Sequence, residues 1–104
     1  NTVQQSDESN IDVYFVCLDE AGLSTALSIS NELRQTGYNL VSDPLRRSMK
    51  AQMREANKSG AKFALILGET EMETDSVVLK NLKNGKQEII QQKNVKEELR
   101  KLTN

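Results

Sequence analysis

Long apolar runs recur along the chain and predict the strands of a buried sheet. Residues 11–18 (IDVYFVCL) and 61–68 (AKFALILG) are apolar almost throughout, which is the pattern of strands covered on both faces. Residues 38–42 form a shorter run, and the Asp43-Pro44 pair ends it because proline restricts the residue before it and cannot donate to a sheet ladder. We therefore expect three buried strands before residue 69.

Between the apolar runs, residues recur at helical spacing. Residues 20–36 carry one inward face, and Gly37 follows at the position of a left-handed helix end. That face comprises Leu23, Ala26, Leu27, Ser30 and Leu33. A second helix, about residues 46–59, would end at Gly60. Its inward residues would be Met49, Met53 and Ala56. The order strand, helix, strand, helix, strand makes two right-handed crossovers and a parallel sheet.

The pattern changes after residue 68 and predicts a hairpin. Residues 76–82 alternate loosely between apolar and polar, and residues 87–91 form a second short strand. Asn84-Gly85 between them is a strong signal for a type I′ turn. Because a hairpin reverses the chain, one of its strands must run against the parallel strands.

A final amphipathic helix follows the hairpin. Asn94, with Glu97 three residues later, is typical of a helix N-cap. The apolar stripe of this helix comprises Val95, Leu99 and Leu102. Together these elements predict an α/β fold of three layers, with a mixed five-stranded sheet and three helices.

Length and composition limit the chain to one small domain. Its 104 residues, 37% of them hydrophobic, suit a single core that needs no disulfide or metal. Residues 1–10 are too polar to bury enough apolar surface to offset the entropy lost on ordering, and they predict a tail or linker. Residues 11–104 are then the folded domain.

Cysteine usage and apolar run length indicate the setting of the chain. The one cysteine, Cys17, allows no disulfide within the chain and indicates a reducing, cytoplasmic setting. No apolar run is long enough to cross a bilayer, so we expect no membrane partner.

Charge is distributed unevenly although the net charge is −1. Residues 1–44 hold one basic residue against seven acidic ones, whereas residues 45–104 hold thirteen against eight, so attraction to a polyanion must come from the second part. Four basic residues there recur every four positions and would stack on one face of the second helix. They are Arg46, Lys50, Arg54 and Lys58. This basic stripe fits a phosphate backbone, and it equally fits an ordinary solvated face.

Several kinds of chemistry are excluded by the residue types. Histidine is absent, which excludes Ser-His-Asp and Cys-His nucleophiles and the usual metal ligands. The five glycines match neither of the two common phosphate-binding loops. Asp19-Glu20 resembles the acidic pair of a phospho-acceptor receiver domain, which also needs an acidic residue at the end of the third strand. That strand ends in Gly68-Glu69 here, and the later Thr and Lys positions do not fall on further crossovers, which disfavours such a domain. Cys17 lies in mid-strand, where burial disfavours a redox nucleophile.

A charged turn follows the third strand. Gly68-Glu69-Thr70-Glu71 stands at a strand end, where α/β sheets place ligand contacts. Carboxylates do not bind phosphate, but they accept hydrogen bonds from the N–H groups of splayed, single-stranded bases. The same pattern also describes an ordinary surface turn. The hairpin beyond this turn carries Lys80, Lys83 and Lys86.

Two segments resemble a known family. They are ANKSGAKFALILGETE and SVVLKNLKNGKQEIIQ, which precede the closing amphipathic helix. Over about residues 11–102 the chain is similar to the C-terminal anticodon-binding domain of class II aminoacyl-tRNA synthetases, and RRSMKAQMREANKSGAKFA resembles the second helix and third strand of the histidyl branch. The prolyl, threonyl and glycyl branches share the fold and the G-[ED]-x-E turn. Residues 57–63 favour the histidyl branch over them.

The resemblance implies both a topology and a role. The sheet order would be 2-1-3-4-5 with strand 4 antiparallel, and the sheet would dock against the anticodon stem-loop of a tRNA. The implied parent is a cytoplasmic, homodimeric histidine-tRNA ligase, in which a catalytic domain of the same chain joins histidine to tRNA for protein biosynthesis using ATP and Mg²⁺. The domain itself would need no cofactor or metal and would hold no catalytic residue.

The resemblance also implies site residues. Glu71 matches the acidic residue that reads an anticodon base, and Lys80 matches a basic residue near the same nucleotides. Arg47 and Lys50 match the basic start of the second helix, where contact with the tRNA backbone is implied. Asp75 stands where this family often has Gly or Asn. With the basic stripe included, the expected backbone-binding set is Arg46, Arg47, Lys50 and Arg54.

Base stacking has little support in the sequence. The aromatic residues all fall in predicted strands, where burial in the core is expected. They are Tyr14, Phe15, Tyr38 and Phe63. Recognition would then rest on hydrogen bonds and phosphate contacts. Two alternatives stay open: a synthetase-like regulatory paralogue of histidine biosynthesis that binds a protein partner, and a free-standing nucleotide-binding or phospho-acceptor domain.

Overall fold

A five-stranded mixed sheet runs through the centre of the protein in a computed structural model that describes residues 11–42 and 48–103. The strands lie in the order β2-β1-β3-β4-β5. Their bounds are Val13–Cys17 for β1, Leu40–Ser42 for β2, Phe63–Leu67 for β3, Ser76–Asn81 for β4 and Gln87–Gln91 for β5. The predicted tail at residues 1–10 and the Asp43-Pro44 break lie outside the described residues, so the domain boundaries stay a prediction.

Strand register confirms the predicted topology. Val13 of β1 pairs in parallel with Leu40 of β2 and with Phe63 of β3. β4 runs antiparallel to both of its neighbours, and Val78 pairs with Ile66 on one side and Ile89 on the other. The order 2-1-3-4-5 with strand 4 antiparallel is therefore confirmed.

The described residues form four α-helices, one more than predicted. They are α1 (Leu23–Thr36), α2 (Met49–Ser59), α3 (Glu69–Glu73) and α4 (Val95–Thr103). One-turn 3-10 helices at Glu20–Gly22 and Gln92–Asn94 lead into α1 and α4. The additional helix is α3, whose five residues are too few to show an apolar stripe, and the sequence therefore predicts only a turn there.

Helices cover both faces of the sheet and divide the core into two clusters. The first cluster packs α1 and α4 on one face, and the second packs α2 on the other. Alternate residues of β1, β3 and β4 enter or pack against the two clusters, as the two-residue period of a strand requires. Phe15 and Phe63 lie in the first cluster and Tyr14 in the second, so these three aromatic side chains are core residues, while Tyr38 is half-buried against the first cluster.

The inward face of α2 differs from its prediction at two positions. Ala56 is fully buried and Met53 half-buried, but Met49 is 42% exposed and is therefore not a core residue. Gln52 is fully buried instead, and its Nε2 donates to the carbonyl oxygen of Cys17 at 3.1 Å. A buried glutamine is stable only with such a partner, and that partner is 35 residues away in the chain. The helix ends as predicted at Gly60, whose φ of 80° is left-handed.

The predicted type I′ turn is wrong, although the hairpin itself is confirmed. A type I′ turn needs positive φ at both central residues, and of Asn84 and Gly85 only Gly85 has it, at 79°. The Gly85 amide donates to the Asn81 carbonyl at 2.8 Å, and the Asn81 amide donates to the Lys86 carbonyl at 2.7 Å. The Asn81 side chain accepts from the amides of Lys83 and Asn84 and thereby holds a longer loop than the pattern indicates. In α4, Leu102 of the predicted stripe is exposed.

Candidate nucleic-acid interface

Glu71 lies in α3, directly after the carboxyl end of β3. Its Oε1 accepts a hydrogen bond from the Gly68 amide at 2.8 Å, and Gly68 is the N-cap residue of α3. This is the return contact of a capping box, in which an acid in the first turn satisfies the amide of the cap residue. The contact holds the Glu71 side chain against the end of the strand.

Gly68 gives the Glu71 carboxylate room. Its backbone is extended, with a φ of −121°, which any residue adopts. A Cβ at this position would lie 3.0 Å from Glu71 Oε1 and 3.7 Å from Leu18 Cδ1. The glycine therefore eases the close approach of Glu71, whose carboxylate would have to shift slightly to make room for a Cβ, and its own backbone conformation does not require glycine.

The underside of α3 rests on the 3-10 helix before α1. A Cβ at Gly22 would lie 3.1 Å from Leu67 Cδ2 and 3.4 Å from Met72 Cγ. Met72 is half-buried against the first cluster. Two glycines thus let α3 sit close to the sheet, one at each side of the turn that carries Glu71.

Lys80 lies near the opposite end of β4 from Glu71. It pairs with Ala64 of β3 and Gln87 of β5, whereas Ser76 begins β4 at the end where α3 lies. Four strand positions separate Ser76 from Lys80, which is about 13 Å at the usual rise of a strand. Glu71 and Lys80 therefore lie toward different ends of β4, and contact of both with one RNA would follow the length of this strand.

One face of β4 and β5 is not covered by a helix. Met53 of α2 and Val78 of β4 both pack against the second cluster, and beyond Val78 this face reaches the edge of the sheet. Lys80 and Ile89 share the face because Lys80 lies two residues after Val78 and Ile89 pairs with Val78. We call Val78, Lys80, Gln87 and Ile89 the open sheet face.

Ile89 is a feature of this face that the sequence does not reveal. It is 72% exposed in the middle of β5, whereas its neighbour Ile90 is 7% exposed in the first cluster. A strand pattern assigns the two isoleucines to opposite faces but does not tell which face lacks a helix. An apolar side chain beside a lysine offers a base both van der Waals contact and a nearby positive charge.

The described part of the basic stripe lies on the solvent-exposed side of α2. Lys50, Arg54 and Lys58 are exposed on α2, and none of them makes an ion pair within the described residues. Lys50 lies one helical turn before Met53 and therefore on the same side of α2 as that half-buried residue. Arg46 and Arg47 lie outside the described residues.

Two other lysines that the sequence singles out do not lie on the open sheet face. Lys86 lies opposite Asn81, which follows Lys80 in β4, and so it points to the opposite face of the sheet. Lys83 lies in the hairpin loop.

Cys17 is not a candidate nucleophile. Burial raises the pKa of the Cys17 thiol, whose sulfur donates to the Asp19 carbonyl at 3.3 Å. A thiol that is buried and kept protonated is a poor nucleophile.

Within residues 11–42 and 48–103, no helix is long and apolar enough to cross a membrane. The same residues contain no group of three or more Cys, Asp or Glu side chains placed to hold a metal ion.

Comparison with known proteins identifies relatives over nearly the whole chain. Residues 12–102 match the family described as anticodon binding domain. The histidine-tRNA ligase of Natranaerobius thermophilus is 34% identical over 100 residues, which are 96% of this chain and 24% of that protein. The histidine-tRNA ligase of Solidesulfovibrio magneticus is 39% identical over 90 residues, 86% of this chain and 21% of that protein. The chain thus spans about a quarter of the length of these relatives.

Solved structures agree with the observed fold. Histidyl-tRNA synthetase of S. aureus superposes with a TM-score of 0.79 at 32% identity, over 88% of this chain and 23% of that one. The enzyme from a Nostoc species gives a TM-score of 0.82 at 30% identity, over 91% and 23%. The RNA binding domain of threonyl-tRNA synthetase from Cryptosporidium parvum, at 20% identity over 86% and 23%, has a TM-score of 0.76 and shares the fold.

Proposed function

The chain belongs to the anticodon binding domain family, and on that premise we propose that it is the anticodon-recognition domain of a histidine-tRNA ligase. The observation that carries this proposal is the family match over residues 12–102, together with relatives of that name at 34% and 39% identity. No feature of the fold or of these relatives favours the regulatory paralogue. The role of the domain is to select the tRNA and not to perform the chemistry.

We assign recognition to two parts of the surface. Glu71, held by Gly68, accepts from a base N–H group, and Lys80 with Ile89 contacts neighbouring nucleotides across the open sheet face. Lys50 and Arg54 contact the phosphate backbone, which adds affinity without sequence preference. The roles of Arg46 and Arg47 in the same backbone set rest on the resemblance alone.

The parent enzyme follows as part of the proposal. A catalytic domain outside these residues would bind histidine, ATP and Mg²⁺ and form the aminoacyl ester, in a cytoplasmic homodimer. The share of each relative that this chain spans, about a quarter, leaves room for such a domain. The present residues would contribute binding free energy for the anticodon stem-loop and no reacting group.

Stem-loop binding tests the proposal directly. Fluorescence anisotropy should show tighter binding to the histidine-tRNA anticodon stem-loop than to the same stem carrying three substituted anticodon bases. The affinity for both RNAs should fall with salt, because phosphate contacts release counterions. Equal affinity for the two RNAs across the salt series would contradict the proposed role.

A further inference from the structure

One glutamine side chain ties the turn that carries Glu71 to the rest of the fold. Gln92 lies in the 3-10 helix after β5, and its Nε2 donates to the Ser76 carbonyl at 3.0 Å and to the Glu71 carbonyl at 3.4 Å. Its backbone amide donates to the Asp75 carbonyl at 2.9 Å. Gln92 thus holds three backbone carbonyl groups of residues that precede it by 16 to 21 positions in the chain, those of Glu71, Asp75 and Ser76.

The segment that Gln92 holds has little structure of its own. α3 has only five residues, and the last four carbonyl groups of any helix lack partners within the helix. Thr74 supplies its amide and hydroxyl to the Thr70 carbonyl, and Gln92 supplies its side-chain amide to the Glu71 carbonyl. Gln92 therefore caps the carboxyl end of α3, while Gly68 and the Glu71 side chain close the other end.

The turn after α3 also needs external support. Asp75 has a φ of 53°, the one positive value at a non-glycine position within residues 11–42 and 48–103. The left-handed conformation costs most residues about 1–2 kcal/mol, and although aspartate adopts it more readily than most, contacts from neighbouring residues help to hold it. The Gln92 amide supplies one of these contacts at the Asp75 carbonyl.

Gln92 is itself firmly anchored. Its carbonyl accepts the amide of Val95 at the start of α4, and Val95 and Leu99 are buried in the first cluster. The position of α4 in the core thus determines where the Gln92 side chain lies. Gln92 therefore connects α4, which is anchored in the core, to α3 and the turn after it, which carry Glu71 and Asp75.

From these contacts we propose that Gln92 is a positioning residue for anticodon reading: it acts through Glu71, holding the carboxylate where it meets the base without touching the RNA. This inference rests on the proposed function. It assigns a recognition role to a position that offers no charge and no exposed apolar surface, and it separates base discrimination from phosphate binding.

The test compares Gln92→Met, which keeps the length of the side chain but removes the donor, with Gln91→Ala at the neighbouring exposed position. We expect Gln92→Met to lower the affinity ratio between matched and substituted stem-loops about tenfold, within the range of one base contact. The salt dependence should stay that of the wild type, because the phosphate contacts are elsewhere. Gln91→Ala should change neither quantity.

A double variant separates a positioning role from a general structural one. If Gln92 acts through Glu71, adding Gln92→Met to Glu71→Ala should leave the affinity ratio of Glu71→Ala unchanged. Hydrogen exchange of the Gly68 amide in the free protein gives a second readout, and we expect Gln92→Met to accelerate it relative to the Val16 amide of the core. Thermal unfolding establishes that the variants are folded at the temperature of measurement.

The outcomes distinguish the two proposals. A wild-type chain that does not discriminate between the stem-loops would overturn the proposed function, and the recognition role of Gln92 with it. A discriminating wild type whose ratio survives Gln92→Met, or a Gly68 amide whose exchange is unchanged, would overturn the inference about Gln92 alone.

Discussion

The carboxylate of Glu71 accepts the Gly68 amide hydrogen bond at 2.8 Å through Oε1. No hydrogen bond within residues 11–42 and 48–103 engages Oε2. One oxygen thus fixes the side chain while the other stays available, so the proposed base reader is ordered before RNA arrives. Binding of RNA then costs less side-chain conformational entropy than it would if the glutamate were mobile.

Replacing Glu71 should affect recognition more than folding. We expect Glu71→Ala to weaken binding to the matched stem-loop by about 1–3 kcal/mol, the scale of one good base contact. Loss of the cap hydrogen bond should cost about 0.5–1.5 kcal/mol of stability. Anisotropy and urea unfolding measure the two quantities. Glu69→Ala, at an exposed position of the same helix, serves as control, and unchanged RNA affinity in Glu71→Ala would remove Glu71 from the site.

Adding one methyl group at Gly68 should reproduce part of this loss. In Gly68→Ala the new Cβ would lie 3.0 Å from Oε1, so the carboxylate has to move and discrimination between stem-loops should fall. Gly37→Ala is the matched control, since no atom lies within 4 Å of its Cβ but its φ is 112°. That control should lose about 1–2 kcal/mol of stability, because alanine disfavours the left-handed backbone, and it should keep its discrimination. If Gly68→Ala kept its discrimination between stem-loops, the close approach of Glu71 to Gly68 would be unimportant for recognition.

Removing a charge from α2 should weaken all stem-loops alike. Lys50→Ala is expected to reduce affinity equally for matched and substituted RNAs and to lower the slope of log affinity against log salt by about one unit. Lys101→Ala, on the far face of the sheet and paired with Glu98 at 3.4 Å, should leave the slope unchanged. A change of base preference in Lys50→Ala would assign Lys50 to base reading instead.

The two isoleucines of β5 should respond in opposite ways. Ile89→Ala, at the exposed position, should change stability by less than about 0.5 kcal/mol and yet weaken RNA binding through lost apolar contact. Ile90→Ala, in the first cluster, should cost about 2–5 kcal/mol of stability. Urea unfolding and anisotropy of the two variants compare these effects, and wild-type RNA affinity in Ile89→Ala would exclude β5 from the interface.

Alkaline pH should destabilise the fold through Cys17. Burial raises the pKa of this thiol above its usual 9.0, so the folded protein holds the proton more tightly than the unfolded chain. The resulting stabilisation is present below about pH 9.0 and is lost as the pH rises through the folded pKa. Urea unfolding should therefore show a steeper fall in stability above that pH for the wild type than for Cys17→Ala. Parallel curves for the two proteins would be inconsistent with a buried thiol.

Much of the fold was predictable because its determinants are local. The apolar runs around Phe15 and Leu65 and the left-handed ends at Gly37 and Gly60 each follow from a few neighbouring residues. The helix α3 and the hairpin loop were missed because both are set by side-chain hydrogen bonds to the backbone, made by Glu71 and Asn81.

The candidate site was less predictable because its parts are joined across the sheet. Buried Gln52 depends on Cys17, and the exposure of Ile89 depends on how far α2 extends over the sheet. The contacts of Gln92 with Glu71 and Ser76 bridge distant positions. The roles of Glu71 and Lys80 remain predictions from the resemblance.

The antiparallel course of β4 has an energetic consequence. Because this strand carries the chain from the Glu71 end of the sheet to Lys80, Lys80 lies about 13 Å beyond Ser76 along β4. Substitutions separated by more than about 7–10 Å usually have additive effects on free energy. Changes at the two ends should therefore combine as independent factors in affinity, and either end can be redesigned for a different base without resetting the other.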